Sequence, residues 1–359
     1  MVTSAYIHIP FCLSKCRYCS FVSFDTLAKK TGYLYSLLKE IDYYYQGETL
    51  KTLYFGGGTP SLMTVDELNK ILKKFNYDES TEITIEVNPD SVDKEYLKGL
   101  KEIGFNRLSI GSQTFDDKLL TDIGRRHNAQ QIFDTIESAR QAGFENISVD
   151  LIYGLPNQTL DMLKNDLEIV KTLDITHVSL YGLKIDEGCY FYNHYPKNVP
   201  DDDTQADMYL EVIKTLNEFQ HYEISNFAKQ GYESKHNLNY WREGEYYGFG
   251  VASHGFVDNV RYSNYRTLEQ YMDNPVSHEF GKFLTEQEKL EESIFLGFRI
   301  AEGVDEQKIN QKFGINFSEK YKNTLEKYLA TGHIIKTGKG YRLSDEGFLV
   351  SNLILSEFI

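Results

Sequence analysis

A short apolar, β-prone run followed by an amphipathic helical stretch recurs from residue 5 to about residue 185, and no other feature constrains the fold as much. The apolar runs are Ala5–Ile9, Thr52–Phe55, Ile83–Val87, Arg107–Ile110, Ile147–Ile152 and His177–Tyr181. Between them, Val65, Leu68, Ile71, Leu72 and Phe75 share one helical face behind a Thr64–Glu67 capping box. Tyr96, Leu97, Leu100 and Ile103 make a second face, closed by Gly104. Ile132, Phe133, Ile136 and Ala139 make a third, closed by Gly143. Strands alternating with helices give parallel βα units, since a parallel neighbour is reached only through a crossover. Six units predict an α/β fold, a partial (β/α)6 barrel, with a doubly wound open sheet as the alternative.

The remainder reads differently. A Pro- and Asp-rich stretch, Pro196 to Asp203, precedes a helix expected near Asp207–Phe219. Residues 236–282 are rich in Tyr, Asn and Gly without a clear period and read as loops and short strands. Beyond them, Thr285–Glu288 and Asn316–Glu319 read as capping boxes. Helical faces follow at Leu290, Ile294 and Phe298, and at Phe317, Tyr321, Leu325 and Leu329. His333–Lys336 and Tyr341–Leu343 flank a turn at Thr337–Gly340, and a last helix carries Leu349, Val350, Leu353 and Ile354. This predicts a smaller C-terminal, winged-helix-like helical domain. The expected division is a barrel over 1–230, a connecting segment over 231–282 and the C-terminal domain over 283–359.

A net charge of −15 argues against nucleic acid as a partner, which needs clustered Lys and Arg. That leaves the winged-helix-like unit a packing or lid role. Lys15, Arg17 and the run Arg125-Arg126-His127 could invert the field locally, or be solvated surface charge. No apolar run approaches the roughly 18 residues of a membrane span. The N-terminal residues show no secretory pattern, so a cytoplasmic location is expected.

Three of the four cysteines fall at Cys12, Cys16 and Cys19, just after the first strand. In a reducing compartment such clustering points to metal rather than disulfides. Three thiolates on a short loop can hold three irons of a [4Fe–4S] cubane and leave the fourth open to a small chelate. S-adenosylmethionine offers an amine and a carboxylate for that place, and reductive cleavage of its sulfonium would give a 5′-deoxyadenosyl radical. The rival is structural zinc, which wants four ligands and would need His8 as the fourth. Cys189 stands alone and reads as a packing residue.

Cys-x3-Cys-x2-Cys with Tyr18 before the last Cys resembles the radical S-adenosylmethionine superfamily. The first strand, Tyr6-Ile-His-Ile-Pro-Phe-Cys12, is similar to the branch holding coproporphyrinogen III dehydrogenase (HemN) and the HemW-type haem chaperones. The resemblance covers about residues 5–260. It implies that Gly57, Gly58 and Thr59 of Gly-Gly-Gly-Thr-Pro, then Glu86, Gln113, Arg125 and Asp150 at successive strand ends, bind S-adenosylmethionine together with Tyr6 and Tyr18. The chemistry is suitable, since carboxylates accept from ribose hydroxyls and Arg pairs with a carboxylate. Taken singly, each such polar residue could equally be structural.

Two features separate the branches. The dehydrogenases carry a further Cys two residues after the third, where this chain has Phe21, and an N-terminal extension that is not seen before Cys12. His236-Asn-Leu-Asn-Tyr240-Trp241 is similar to the HNxxYW motif of the chaperones, which implies haem binding through His236. Neutral imidazole is a good axial ligand, and the rings of Tyr240 and Trp241 offer flat apolar surfaces beside it. A packing histidine is the alternative. The resemblance therefore implies a haem chaperone, with haem as cargo, an acceptor apoprotein as partner, a homodimer, and at most peripheral membrane contact. The alternatives are oxygen-independent coproporphyrinogen III dehydrogenase, or a radical enzyme acting on something other than porphyrin. Enzymatic activity as such stays open.

Overall fold

A computed structural model describes residues 2–359 of the chain. Strand β1 (Ser4–Ile9) leads through the cysteine loop to helix α1 (Lys30–Tyr44). There follow β2 (Thr49–Gly57), α2 (Val65–Leu72), β3 (Asn76–Val87), α3 (Lys94–Glu102), β4 (Arg107–Gln113), α4 (Asp117–Asp122), α5 (Ala129–Gln141), β5 (Asn146–Tyr153), α6 (Leu160–Thr172) and β6 (His177–Gly182). All six apolar runs read from the sequence lie inside β1–β6. The expected helical faces are buried through Leu68, Ile71 and Leu72 on α2, Leu97 and Leu100 on α3, and Ile132, Ile136 and Ala139 on α5. The Thr64–Glu67 capping box closes with both of its hydrogen bonds.

These six strands pair in parallel and in consecutive order. A doubly wound sheet would reverse its order at a switch point, so consecutive order selects the partial barrel. Past β6 come α7 (Tyr190–Asn193), α8 (Asp202–Thr215), β7 (Gln220–Glu223), β8 (Asn226–Ala228), α9 (Lys235–Trp241) and β9 (Tyr247–Phe249). Antiparallel β8 and β7 extend the sheet beyond β6, and β9 adds in parallel to the free edge of β1, giving nine strands in all. Helix α8 begins earlier than the expected Asp207, because the Asp201 side chain accepts from the Thr204 N–H and caps the chain there.

The 236–282 stretch holds the short strands expected of it, with a three-stranded antiparallel sheet over 254–283, but also two short helices, α9 and Leu268–Asp273. The buried carboxylate of Glu40 on α1 ties the segment down. It accepts from Gly250 N–H at 2.8 Å, Asn264 Nδ2 at 2.5 Å and Tyr271 hydroxyl at 2.5 Å.

The C-terminal unit has its own core, including Leu290, Phe298, Phe317, Leu325, Leu343 and Ile354, and reaches the barrel through Tyr209 of α8. Its helices surround a small sheet of Val304–Asp305, Gly340–Leu343 and Ile334–Lys336. The Phe317–Leu329 face is two helices broken at Tyr321, and the last helix is likewise split at Val350. Asn316 accepts from Glu319 N–H, but the return bond of a full box is not formed. Thr285 and Glu288 do form one. Among the described residues no helix is long and apolar enough to cross a membrane.

Candidate functional site

The cysteine loop leaves β1 at Pro10 and is pinned at its base. Phe24 N–H donates to Pro10 carbonyl at 2.7 Å and Cys12 N–H to Phe24 carbonyl at 3.0 Å. Its far side is held by Arg17 N–H on Ile123 carbonyl at 3.0 Å. The three thiols line one cavity of about 510 Å³ at the carboxyl ends of the strands, where a barrel places its site. All four cysteines are free, and Cys189 is buried among Leu119, Ile152 and Phe191 as a packing residue. Two thiols already have donors aimed at sulfur. Thr59 Oγ1 lies 3.6 Å from Cys12 Sγ, and Arg125 Nη1 lies 3.6 Å from Cys16 Sγ. Burial, with Cys16 and Cys12 adding to it, pushes the Cys19 thiol up to about 11, a penalty that a bound cation reverses.

His8 is unsuited to complete a zinc site. Its Nε2 donates to Val22 carbonyl at 2.9 Å, which leaves Nδ1 to accept from the Tyr6 hydroxyl at 3.0 Å. Among the described residues no three His, Cys, Asp or Glu side chains converge around a single ion. The three thiols share one cavity, and a [4Fe–4S] cluster takes one iron per thiol.

The cavity wall follows the period of two along the strands. On β4 the alternate residues Arg107, Ser109, Gly111 and Gln113 face inward, and Tyr54, Glu86, Asp150 and Ser179 do so on their own strands. Of the residues expected to bind S-adenosylmethionine, Tyr18, Gly57, Gly58, Thr59, Glu86, Gln113, Arg125 and Asp150 all line it. Tyr6 does not. It stands behind the wall, its ring stacked at 6.1 Å on Tyr54.

Glu86 accepts from Tyr54 hydroxyl at 2.9 Å and from Gly57 N–H at 3.1 Å. Burial, helped by the Asp150 charge, pushes it up to about 7. Asp150 is raised by burial too, although Ser109 Oγ donates to it at 2.8 Å. Two desolvated carboxylates on the cavity wall form a pocket that favours a cationic ligand. Arg125 sits at the strand ends of the same wall, donating to Asn88 Oδ1 and to Gly111 carbonyl, both at 2.6 Å.

Gln113 has φ of 68°, the left-handed region that a non-glycine residue occupies only when its surroundings hold it there. The next two residues do the holding. Thr114 Oγ1 and Phe115 N–H both donate to the buried Asp166 carboxylate, at 2.7 and 2.9 Å. The glycine loop is required by packing more than by a ligand. A Cβ on Gly57, at φ of 114°, would fall 2.5 Å from His8, and one on Gly58 would fall 2.7 Å from Phe11 carbonyl oxygen. Of the basic groups considered for anions, Lys15 and Arg125 line the cavity, while Arg17 donates to Asp122 carbonyl at 3.1 Å, Arg126 pairs with Asp90 at 3.1 Å and His127 is buried against Ser112 carbonyl.

His236 departs from its expected place. It is 1 % exposed, and both ring nitrogens are used, Nδ1 with Thr52 hydroxyl at 2.8 Å and Nε2 with Tyr240 hydroxyl at 2.7 Å. Its ring stacks on Tyr54 at 5.0 Å. The N–H groups of Lys235 and His236 donate to Glu82, so α9 lies across β2 and β3 at the level of the Thr52–Glu82 pair, with a carboxylate at its positive end. In this structure the histidine helps to seat the barrel floor, and its neighbour Asn237 faces the cavity instead. Sequence reasoning also missed Tyr54, Asn88, Arg107, Ser109 and Ser179. Tyr54, Arg107, Ser109 and Ser179 lie inside the apolar runs, and Asn88 directly follows one.

The family model described as the Radical SAM superfamily matches residues 6–170, and that of the HemN C-terminal domain matches residues 284–350. The chain is 35% identical over 368 residues to a protein of Lactococcus lactis named Heme chaperone HemW, covering 99% of this chain and 97% of the other. It is 37% identical over 374 residues to the protein of that name in Bacillus subtilis, covering 99% of each. The solved structure of coproporphyrinogen III oxidase (HemN) from Escherichia coli superposes with a TM-score of 0.87 at 24% identity, over 99% of this chain and 89% of that one, a likeness of fold.

Proposed function

We propose, from the premise that this chain belongs to the HemW haem-chaperone family of radical SAM proteins, that it binds haem and passes it to an acceptor apoprotein. The radical SAM family implies a [4Fe–4S] cluster and S-adenosylmethionine. On this reading Cys12, Cys16 and Cys19 hold the cluster, and Gly57 to Thr59, Glu86, Gln113, Arg125 and Asp150 orient S-adenosylmethionine beside it, with Tyr18 against Cys16 and Tyr6 bracing the wall. When bound, the pair supplies one-electron chemistry or a redox-sensitive structural state. The chain's own residues fix the thiolates, exclude water from the cavity and balance the ligand's charges. The division into a barrel to residue 230, a connecting segment to 282 and a C-terminal unit belongs to the same proposal, as does a cytoplasmic location.

The observation that carries this reading is Phe21. It stands where the dehydrogenases have their further Cys, and it is 69% exposed on the cavity rim. An apolar ring offered to solvent at the mouth suits the entry of a flat apolar cargo into the cavity. The test is an anaerobic assay with coproporphyrinogen III, S-adenosylmethionine and reductant, run beside a haem titration. Haem binding with a Soret shift and no protoporphyrinogen is expected. Formation of protoporphyrinogen would establish the dehydrogenase instead.

A further inference from the structure

Arg107 opens β4 at the deep end of the cavity and is 2% exposed. It forms no ion pair among the described residues, and its Nε has no hydrogen-bond partner. The two carboxylates whose charges it feels, Glu86 and Asp150, are engaged elsewhere, with Tyr54 and Gly57 and with Ser109. Its charge is also felt by the Tyr54 and Tyr222 hydroxyls and by two imidazoles. The Arg107 charge adds to burial in holding His177 and His236 neutral. An unpaired guanidinium in a dry interior is costly, and one that lines a cavity is in a position to be paired by what enters it.

We propose that Arg107 is the floor anchor for a carboxylate of the bound ligand, taken by the planar guanidinium fork. This rests on the haem reading above, where the carboxylate is a tetrapyrrole propionate. S-adenosylmethionine is the other source of a carboxylate. The position favours the former. Arg125, which meets the Cys16 thiol, donates to the Gly111 carbonyl, four residues along the strand that Arg107 begins and roughly 13 Å away on an extended chain. A ligand that places its carboxylate beside the cysteine loop and Arg125 leaves Arg107 to another carboxylate.

The experiment compares ligand pairs that differ in the carboxylate, using the full-length, cluster-reconstituted protein. One pair is haem and haem dimethyl ester. The other is S-adenosylmethionine and its decarboxylated form. Wild type is expected to prefer haem over the ester by about 10- to 100-fold, the worth of a hydrogen bond to a charged group. Arg107→Gln should bring that ratio near one and leave the S-adenosylmethionine ratio unchanged, while Arg107→Lys should retain part of the preference. If only the S-adenosylmethionine ratio collapses, the anchor stands but its ligand is S-adenosylmethionine. If wild type binds no haem, the chaperone reading fails by itself and the second pair decides the anchor. If neither ratio moves in Arg107→Gln, or wild type shows neither preference, the anchor is overturned. The wild-type ratios need no variant, so a poorly folding substitution does not remove the test.

Discussion

Asp166 on α6 holds the Thr114 hydroxyl at 2.7 Å, one residue beyond the left-handed Gln113. The carboxylate never reaches the cavity wall, yet it fixes a residue that does. Asp166→Ala is expected to release the strained backbone and weaken S-adenosylmethionine binding by about tenfold, while the iron content stays at wild-type level. Losing both hydrogen bonds costs roughly 1–3 kcal/mol of stability for each orphaned donor. Equilibrium dialysis under anaerobic conditions, with iron analysis on the same sample, measures both. Unchanged affinity would show that Gln113 needs no such support.

Reconstitution with iron and sulfide should give roughly four irons per chain. Cys12→Ala, Cys16→Ala and Cys19→Ala should each lose them, and Cys189→Ala should not. A single tightly held zinc in the wild type would overturn the cluster assignment.

Gly57→Ala meets two obstacles at once. The φ of 114° is strained for alanine, and its Cβ would press on the fixed His8 ring. A loss of about 1–3 kcal/mol is expected. The Gly57 N–H also orients Glu86, so S-adenosylmethionine affinity should fall further than stability alone explains. Urea melts and ligand titrations separate the two effects, and a variant as stable as wild type would refute the packing argument.

Burial holds the His236 imidazole down at about 3, well below its unfolded value near 6.5. Between those values the unfolded chain takes up a proton that the folded chain refuses. The contribution of neutral His236 is therefore complete above about pH 6.5 and is lost as pH falls toward 3. The stability difference between wild type and His236→Gln should shrink by up to about 1.4 kcal/mol for each pH unit across that window. His236→Ala should also orphan the hydroxyls of Thr52 and Tyr240, at roughly 1–3 kcal/mol apiece. Haem binding by a well-folded His236 variant, matched to wild type, would assign this histidine to the floor alone. A lost Soret shift with preserved stability would assign it to the haem.

The parts of the fold with long periodic signals were legible in the residues. Six strands and the α2, α3 and α5 faces lie where the alternation put them, because each buries a stripe long enough to repeat. Strands β7, β8 and β9 have four, three and three residues, too few to show a period, and they join the sheet only through tertiary pairing. The strand-end residues of the site could be read because glycines and polar residues interrupt apolar runs there. Arg107, Ser109 and Ser179 could not, since a polar residue inside an apolar strand looks the same whether it lines a cavity or is merely tolerated. His236 is the opposite case, a residue whose surroundings the sequence does not show. Its chemistry suits a ligand, but composition alone cannot say that Thr52 and Tyr240 occupy both nitrogens.

With α9 seated across β2 and β3 at Thr52 and Glu82, the cavity is a cup whose lining runs from Phe21 at the rim to Asn237 at the base. Two molecules sharing a cup are not exchanged independently. The inner one must enter first and depart last, so its dissociation rate is capped by that of the outer one. Handover of a cargo held deep in this barrel would then wait on the departure of whatever sits above it, and that queue places the timing of delivery with the outer ligand rather than with the strength of the inner contact.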